Sequence, residues 1–450
     1  MTTRRVFLQG SALAGVAGAL RQAQAFAPAA TFVGPAAAPG LPGEDYLPVV
    51  TPNGVTLPFR VVDGCKVFHL VAEPVTHTFA EGLVAECWGY NGRVHGPTIE
   101  AVVGDAVRIY VTNRLPAPTT VHWHGLAVPN GMDGVGGLTQ RSIEPGETFK
   151  YEFVLRQSGT FMYHPHHDEM TQMAMGLMGM FVVHPRKAPP QSGPGAEAHA
   201  GGGPGPVDDD PPVQRDYAFL LSEWKLTPGM RRPDPTEMTD FNVLTLNATA
   251  FPSTEAMVAK TGERVRIRIG NLSSMDHHPI HLHGVPFQVV ETDGGRIPRS
   301  ARWPEVTVLV PTGSTRTIEL VARDPGDWAM HCHMTHHIMN QMGHGLPNLI
   351  GVDPSQFDYA LEHAVPGFSS MGEHDGPDED TTVPKNSIAM LGGSGPFGFV
   401  TMGGMVTTLK VRDTLVEGQD PGWYEHPPGT VADVASDADL ERDGIDPRGA

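Results

Sequence analysis

The residues best suited to chemistry in this chain are histidines in His-x-His pairs: His122/His124, His164/His166, His281/His283 and His331/His333. A β-strand alternates its side chains between two faces, so such a pair sets both imidazoles on one side, about 6–7 Å apart along the backbone. One pair alone is equally well explained by two solvated histidines at a strand end. Four pairs offer eight imidazoles to a shared cluster, too many for one zinc ion, whose sites take four ligands. Imidazoles holding several ions point to copper. The 22 His and 20 Met agree with this, since both side chains bind metals.

Alternation also assigns the residue inside the last pair. If His331 and His333 face the cluster, Cys332 faces the opposite way, into the core of its own domain. With His278 and His337 its thiolate makes a His2Cys set, and Met342 is placed for the weak axial ligand of a blue-copper centre. The backbone from Cys332 to His331 and His333 then links the two sites. Cys65 and Cys87 remain, and on sequence they are either a disulfide of an oxidising compartment or two buried thiols.

The elements that must position these residues are strands. Runs such as Val107–Val111, Phe149–Phe153, Val265–Ile269 and Thr315–Leu320 are short, alternating and broken by turn residues, the pattern of a Greek-key β-sandwich. With 53 Gly and 42 Pro, roughly a fifth of the chain disfavours helix interiors. The expected organisation is a first domain over 46–186, a Pro/Gly/Asp linker over 187–214, a second domain over 215–352, and an acidic, Gly/Pro-rich extension over 353–450 with a strand-like stretch near Val406. Gly104–Ile109 parallels Gly262–Ile267, and Gly159–His164 parallels Gly326–His331, so the domain is duplicated.

Residues 1–25 hold Arg4-Arg5, a small apolar run from Gly10 to Leu20 and Ala23-Gln24-Ala25. This resembles a twin-arginine signal peptide, with a run well short of the ~20 apolar residues of a membrane span. The expectation is export to the periplasm or beyond, with no membrane span. The formal charge of −19 repels a phosphate backbone and excludes nucleic-acid binding.

The motifs His122-Trp123-His124-Gly125, Tyr163-His164-Pro165-His166, His278-Pro279-Ile280-His281-Leu282-His283 and His331-Cys332-His333, with His337 and Met342, resemble those of multicopper oxidases, laccase-like and in a two-domain form. The resemblance implies an all-β chain of two cupredoxin-like Greek-key β-sandwich domains. It implies type-1 copper on His278, Cys332, His337 and Met342, type-2 copper on His122 and His281, and a type-3 copper pair on His124, His164, His166, His283, His331 and His333. It further implies one-electron oxidation of phenolic, aromatic or metal-ion donors through His337, coupled to reduction of O2 to water. Asp133 matches the family's acidic proton relay, although an Asp before Gly is also a common turn. Many relatives carry Glu where Ile338 stands, which leaves Asp168, Glu169 or Asp276 as candidates for a second proton route. Two-domain relatives pair the first domain of one subunit with the second of the next, so a homotrimer with interfacial clusters is expected. The alternatives are a copper nitrite reductase, which places type 1 in its first domain, and a non-catalytic copper-binding cupredoxin. The clustered methionines, Met162 to Met180, are read mainly as core packing.

Overall fold

The structure, a computed structural model, describes residues 37–186, 210–226, 231–340 and 392–449. The signal-like residues 1–25, most of the linker and Met342 lie outside them. The first sandwich runs β1 (Arg60–Val62), β2 (Cys65–Ala80), β3 (Leu83–Tyr90), β4 (Ile99–Val102), β5 (Ala106–Asn113), β6 (His122–His124), β7 (Thr148–Val154), β8 (Gly159–His164), α1 (Glu169–Ala174) and β9 (Gly179–His184). One sheet orders β1-β2-β5-β7 with β3 beside β2, and the other orders β4-β9-β8-β6. In β5 the alternation is clean: Val107, Ile109 and Val111 point into the core while Arg108, Tyr110 and Thr112 do not.

The second sandwich runs β10 (Arg215–Trp224), β11 (Val243–Leu246), β12 (Met257–Lys260), β13 (Arg264–Asn271), β14 (His278–Leu282), β15 (Phe287–Thr292), β16 (Gly295–Arg296), β17 (Trp303–Glu305), β18 (Thr307–Val310), β19 (Ser314–Val321) and β20 (Gly326–Cys332). After a hairpin of β21 (Gly393–Gly395) and β22 (Gly398–Val400) come β23 (Val406–Arg412) and, near the end, α2 (Asp437–Asp443). The sheets order β11-β10-β13-β19-β15-β16, with β17 beside β15, and β12-β23-β20-β14-β18. The two bodies repeat one topology. β2 runs parallel to β5 as β10 does to β13, and β4 runs parallel to β9 as β12 does to β23. The fold is all-β and cupredoxin-like. Among the described residues no helix is long and apolar enough to cross a membrane.

One expectation changes. The segment 353–450 is not only an extension, because β23 lies between β12 and β20 inside the second sheet and buries Leu409 and Val411 in the same core as Cys332. The second sandwich is therefore not complete at residue 352. Its last strand repeats the role of β9, which the stretch VTTLKVR permits by burying Val406, Leu409 and Val411.

The bodies are held together by side chains from both. Met162, Met178 and Met180 pack with Val49, Ala218, Leu220 and Leu272, so these three methionines are core. Gly270 makes room for them, since a Cβ there would lie 2.8 Å from the Met162 sulfur and 3.0 Å from that of Met180. Beside them the buried Arg268 pairs with both oxygens of Asp216, at 2.8 and 2.9 Å, and donates to Thr160 Oγ1 at 2.8 Å. Removing either partner of such a buried pair costs about 3–5 kcal/mol, because the other charge is left in the interior. Asp210, at the end of the expected linker, is clamped by Arg302 and Arg296.

Candidate metal centre

In the second body β14 and β20 pair antiparallel, with Ile280 opposite Cys332 and His281 opposite His331. Alternation sends Cys332 inward and His331 outward, as the sequence predicts. The inward thiol meets two imidazoles: Sγ lies 3.7 Å from His278 Nδ1 and 3.5 Å from His337 Nδ1, and the two Nδ1 atoms are 3.1 Å apart. All three residues are buried. Their outer nitrogens are engaged from behind, His278 Nε2 by Ser273 Oγ at 2.6 Å and His337 Nε2 by Asp276 Oδ2 at 3.3 Å. Burial pushes His278 down to about 3 and the Cys332 thiol up to about 12. The free set is thus a thiol and two neutral rings, and a cation that binds there expels the thiol proton. Two imidazole nitrogens and a thiolate suit copper.

The back of this set is built by the C-terminal part of the chain. Cys332 N–H donates to Met405 O at 3.1 Å, and Met405 N–H donates to His337 O at 3.0 Å. Gly404 makes the turn at φ +60°, where a Cβ would lie 2.5 Å from Met339 O and 2.8 Å from His337 O. No sequence motif points to these residues, which follow Cys332 by some seventy positions.

The outward histidines form two quartets. In the first body β6 and β8 put His122 opposite His164, and His124 Nδ1 comes 3.2 Å from His164 Nε2. The His166 ring centre is 5.7 Å from that of His122. His122 Nδ1 donates to Asp133 O at 2.7 Å, with Asp133 Oδ1 at 3.5 Å. His124 Nε2 donates to Gly313 O at 2.8 Å, leaving Nδ1 toward the cluster. Burial pushes His164 down to about 3, which keeps it neutral and able to bind a metal. Glu169 sits 3.4 Å from His164 Nδ1 and 3.7 Å from His166 Nε2. In the second body His283 Nε2 lies 3.1 Å from His331 Nε2, and the His281 ring is 5.5 Å from that of His333. In three of the four pairs the second histidine lies just past its strand, so strand and following loop share the work.

Within one chain the quartets stay apart. Every ring contact between these histidines, all of them described residues, runs inside one quartet. The first quartet opens instead on a cavity of about 460 Å³, lined also by Met170 and Met173 and by Ser273, Met275 and Gly313 of the second body. His167 turns away to Ser142 Oγ at 2.8 Å, and His277 pairs with Thr312, so neither joins a donor set. Cys65 and Cys87 are both free thiols.

Models of the multicopper oxidase family match residues 72–188 and 227–349, between them more than half of the chain. The chain belongs to the multicopper oxidase family. Copper resistance protein A of Pseudomonas syringae pv. tomato is 29% identical over 326 residues, covering 65% of this multicopper oxidase and 48% of the relative. Laccase-1 of Cryptococcus neoformans var. grubii is 31% identical over 234 residues, 48% of this chain and 35% of that one. The chain spans about half the length, or less, of these curated relatives. Among solved structures, the blue copper oxidase of Nitrosomonas europaea superposes with a TM-score of 0.54 at 25% identity, over 77% of this chain and 85% of that one.

The duplication also shows where this multicopper oxidase holds no inward metal set. Aligning His122 with His281 and His164 with His331 puts Thr119 where His278 stands and Pro165 where Cys332 stands. Thr119 is fully buried and its hydroxyl donates to Gln172 at 2.6 Å.

Proposed function

We propose that the chain is an exported multicopper oxidase that takes electrons singly from phenolic, aromatic or metal-ion donors and passes them to O2, which is reduced to water. The observation that carries this reading is the Cys332 thiol between His278 and His337, with His331 and His333 on either side of it turned outward. In the roles assigned here, His278, Cys332 and His337 hold type-1 copper, with Met342, outside the described residues, as axial ligand. His122 and His281 hold type 2. His124, His164, His166, His283, His331 and His333 hold the type-3 pair. Bound copper supplies one-electron storage at each ion, so that O2 need not be reduced one electron at a time.

The chain's own residues do the rest. With copper bound, the His337 ring would lie on the path by which electrons enter, and the backbone from Cys332 would connect that ion to His331 and His333. Asp133, with its carboxylate 3.5 Å from His122 Nδ1, is the residue placed to pass protons toward that ring. The two rings are already neutral and the thiol has one proton to lose, so loading of this set would release a proton and strengthen as pH rises. A nitrite reductase reading, with type 1 in the first domain, is disfavoured by Thr119 and Pro165 in the equivalent places. A non-catalytic cupredoxin reading is disfavoured because no imidazole of either quartet is missing.

Because each quartet offers half a cluster, completion by a second copy supports a head-to-tail homotrimer of chains, each contributing domains 46–186 and 215–352 together with the 406–412 strand. The twin-arginine pattern of residues 1–25 supports export to the periplasm or medium. The decisive experiment is oxygen uptake by copper-reconstituted protein with a phenol, Cu(I) and Mn(II) compared side by side. Uptake with at least one donor is expected, and none with any of them refutes the oxidase. Light scattering of the copper-loaded protein is expected at the mass of three chains, and a fully active monomer refutes the interfacial cluster.

A further inference from the structure

The loop Leu272–Asp276 reaches both imidazoles of the inward metal set, and two different anchors hold it. Its first half is fixed by Asn271, whose Oδ1 accepts from Ser273 N–H at 2.8 Å and whose Nδ2 donates to Asp276 O at 2.9 Å. The same arrangement recurs at Asn113 in the first body, where Oδ1 accepts from Leu115 N–H and Nδ2 donates to Ala117 O, so this anchor belongs to the fold. The second anchor is specific to the second body. Glu223, the penultimate residue of β10 and only 3% exposed, accepts with Oε1 from Met275 N–H at 2.6 Å and from Asp276 N–H at 3.3 Å.

We propose that Glu223 is a positioning residue for the type-1 set: it fixes the Met275–Asp276 peptide, which aims the Asp276 carboxylate at His337 Nε2 and so sets the plane of the imidazole through which electrons enter. The inference rests on the oxidase reading for the identity of the metal, and on hydrogen bonds alone for the role of Glu223. A carboxylate on the outer nitrogen of a metal-bound histidine fixes its tautomer and ring orientation. Here the carboxylate is on a loop, half exposed on its outer side at Met275, and a loop holds an angle only as well as it is braced. A buried carboxyl group that takes two adjacent backbone N–H groups is such a brace. Burial, and then the charge of Asp276, push Glu223 up to about 8. Glutamine, which keeps an oxygen for the two amides and has the shape of the protonated acid, is therefore its conservative replacement.

The test uses the full chain loaded with copper and reads the copper content, the blue absorption, the electron paramagnetic resonance hyperfine splitting of type 1, and its equilibrium with a fixed redox mediator. Glu223→Ala is expected to keep its copper, to change the hyperfine splitting and to move the mediator equilibrium by at least about threefold. Asp276→Ala is expected to move both in the same direction, and the double variant to move them no further than the larger single effect, because the two residues act in series. Glu223→Gln is expected to match the parent. Glu223→Asp, one methylene shorter, carries the expectation of the alanine variant, at smaller size, should the latter not fold. An unchanged spectrum and equilibrium in Glu223→Ala or Glu223→Asp, additive effects in the double variant, or a Gln variant as altered as the Ala variant overturns the brace. A parent chain that binds no copper overturns the oxidase reading, and this inference with it.

Discussion

Replacing Gly404 with alanine probes how far the inward metal set depends on the C-terminal part of the chain. Gly404 adopts φ +60°, and an added Cβ would lie 2.5 Å from Met339 O and 2.8 Å from His337 O, both backbone atoms that no rotamer change can move aside. The left-handed conformation costs alanine about 1–2 kcal/mol. Relieving the contact pushes away the His337 carbonyl, which accepts the Met405 N–H at 3.0 Å, and a hydrogen bond lost there costs about 1 kcal/mol net. The expected penalty is about 2–3 kcal/mol, read as a lower urea midpoint at unchanged slope. The site should report the change as well, because the same three-residue turn also accepts the Cys332 N–H. The blue absorption of the copper-loaded variant is expected to shift or fade, while the first-body quartet, built on β6 and β8, keeps its copper. A Gly404→Ala chain with the parent's urea midpoint and blue spectrum would refute the claim that this turn closes the site.

Asp133→Asn removes the carboxylate 3.5 Å from His122 Nδ1 but leaves the backbone carbonyl that holds that ring; oxygen reduction is expected to slow by about 10²-fold, a common size for a lost general acid, with an unchanged blue band. His277→Ala should keep the blue absorption, since His277 pairs with Thr312 outside the inward set, and its loss would show that the wrong histidine of the pair had been assigned. The third concerns acid stability of the metal-free chain. Burial, and then His77, push His95 down from 6.5 to about 3, so between these values the unfolded chain binds a proton that the folded chain does not, and stability falls as pH falls. From pH 7 to pH 5 this one residue should cost about 2 kcal/mol, and His95→Gln should remove that part of the slope in urea titrations at the two pH values.

The outward face of the paired histidines was legible because spacing by two on a strand has one geometric meaning. His122, His281 and His331 sit on strands and face outward as alternation requires, while Cys332 faces inward for the same reason. The duplicated sandwich was legible from the paired Gly104–Ile109 and Gly262–Ile267 segments, which became the equivalent strands β5 and β13. What escaped was everything set by contact between distant segments. VTTLKVR looks like any exposed edge strand, and only the open place between β12 and β20 makes it the last strand of the second sheet. Ser273 and Glu223 carry no motif, and the one sign of Asp276 is its place two residues before His278. The Met162 to Met180 run divides: Met162, Met178 and Met180 are core, whereas Met170 and Met173 line the cavity over the first quartet.

The duplication explains why the described residues hold two histidine quartets and one inward set. Both bodies use the same strand pair, and both turn a His from each strand outward, so the outward imidazoles come with the fold. An inward set asks for three further donors at places the fold leaves to the core. In the first body those places went to packing: Thr119 and Gln172 satisfy each other at 2.6 Å, and the buried Pro165 offers no side-chain donor. In the second body the same positions carry His278 and Cys332, and the helical turn after the strand brings His337 to meet them. A Thr119→His/Pro165→Cys exchange would not by itself create a second inward site, because the same alignment puts Met170 where His337 stands and Ala117 where Asp276 stands. Those two changes alone should yield copper at the first-body quartet and no second blue band. A second band of thiolate-to-copper absorption in that variant would mean that the strand pair alone specifies the inward site, and that the brace and the C-terminal turn are dispensable.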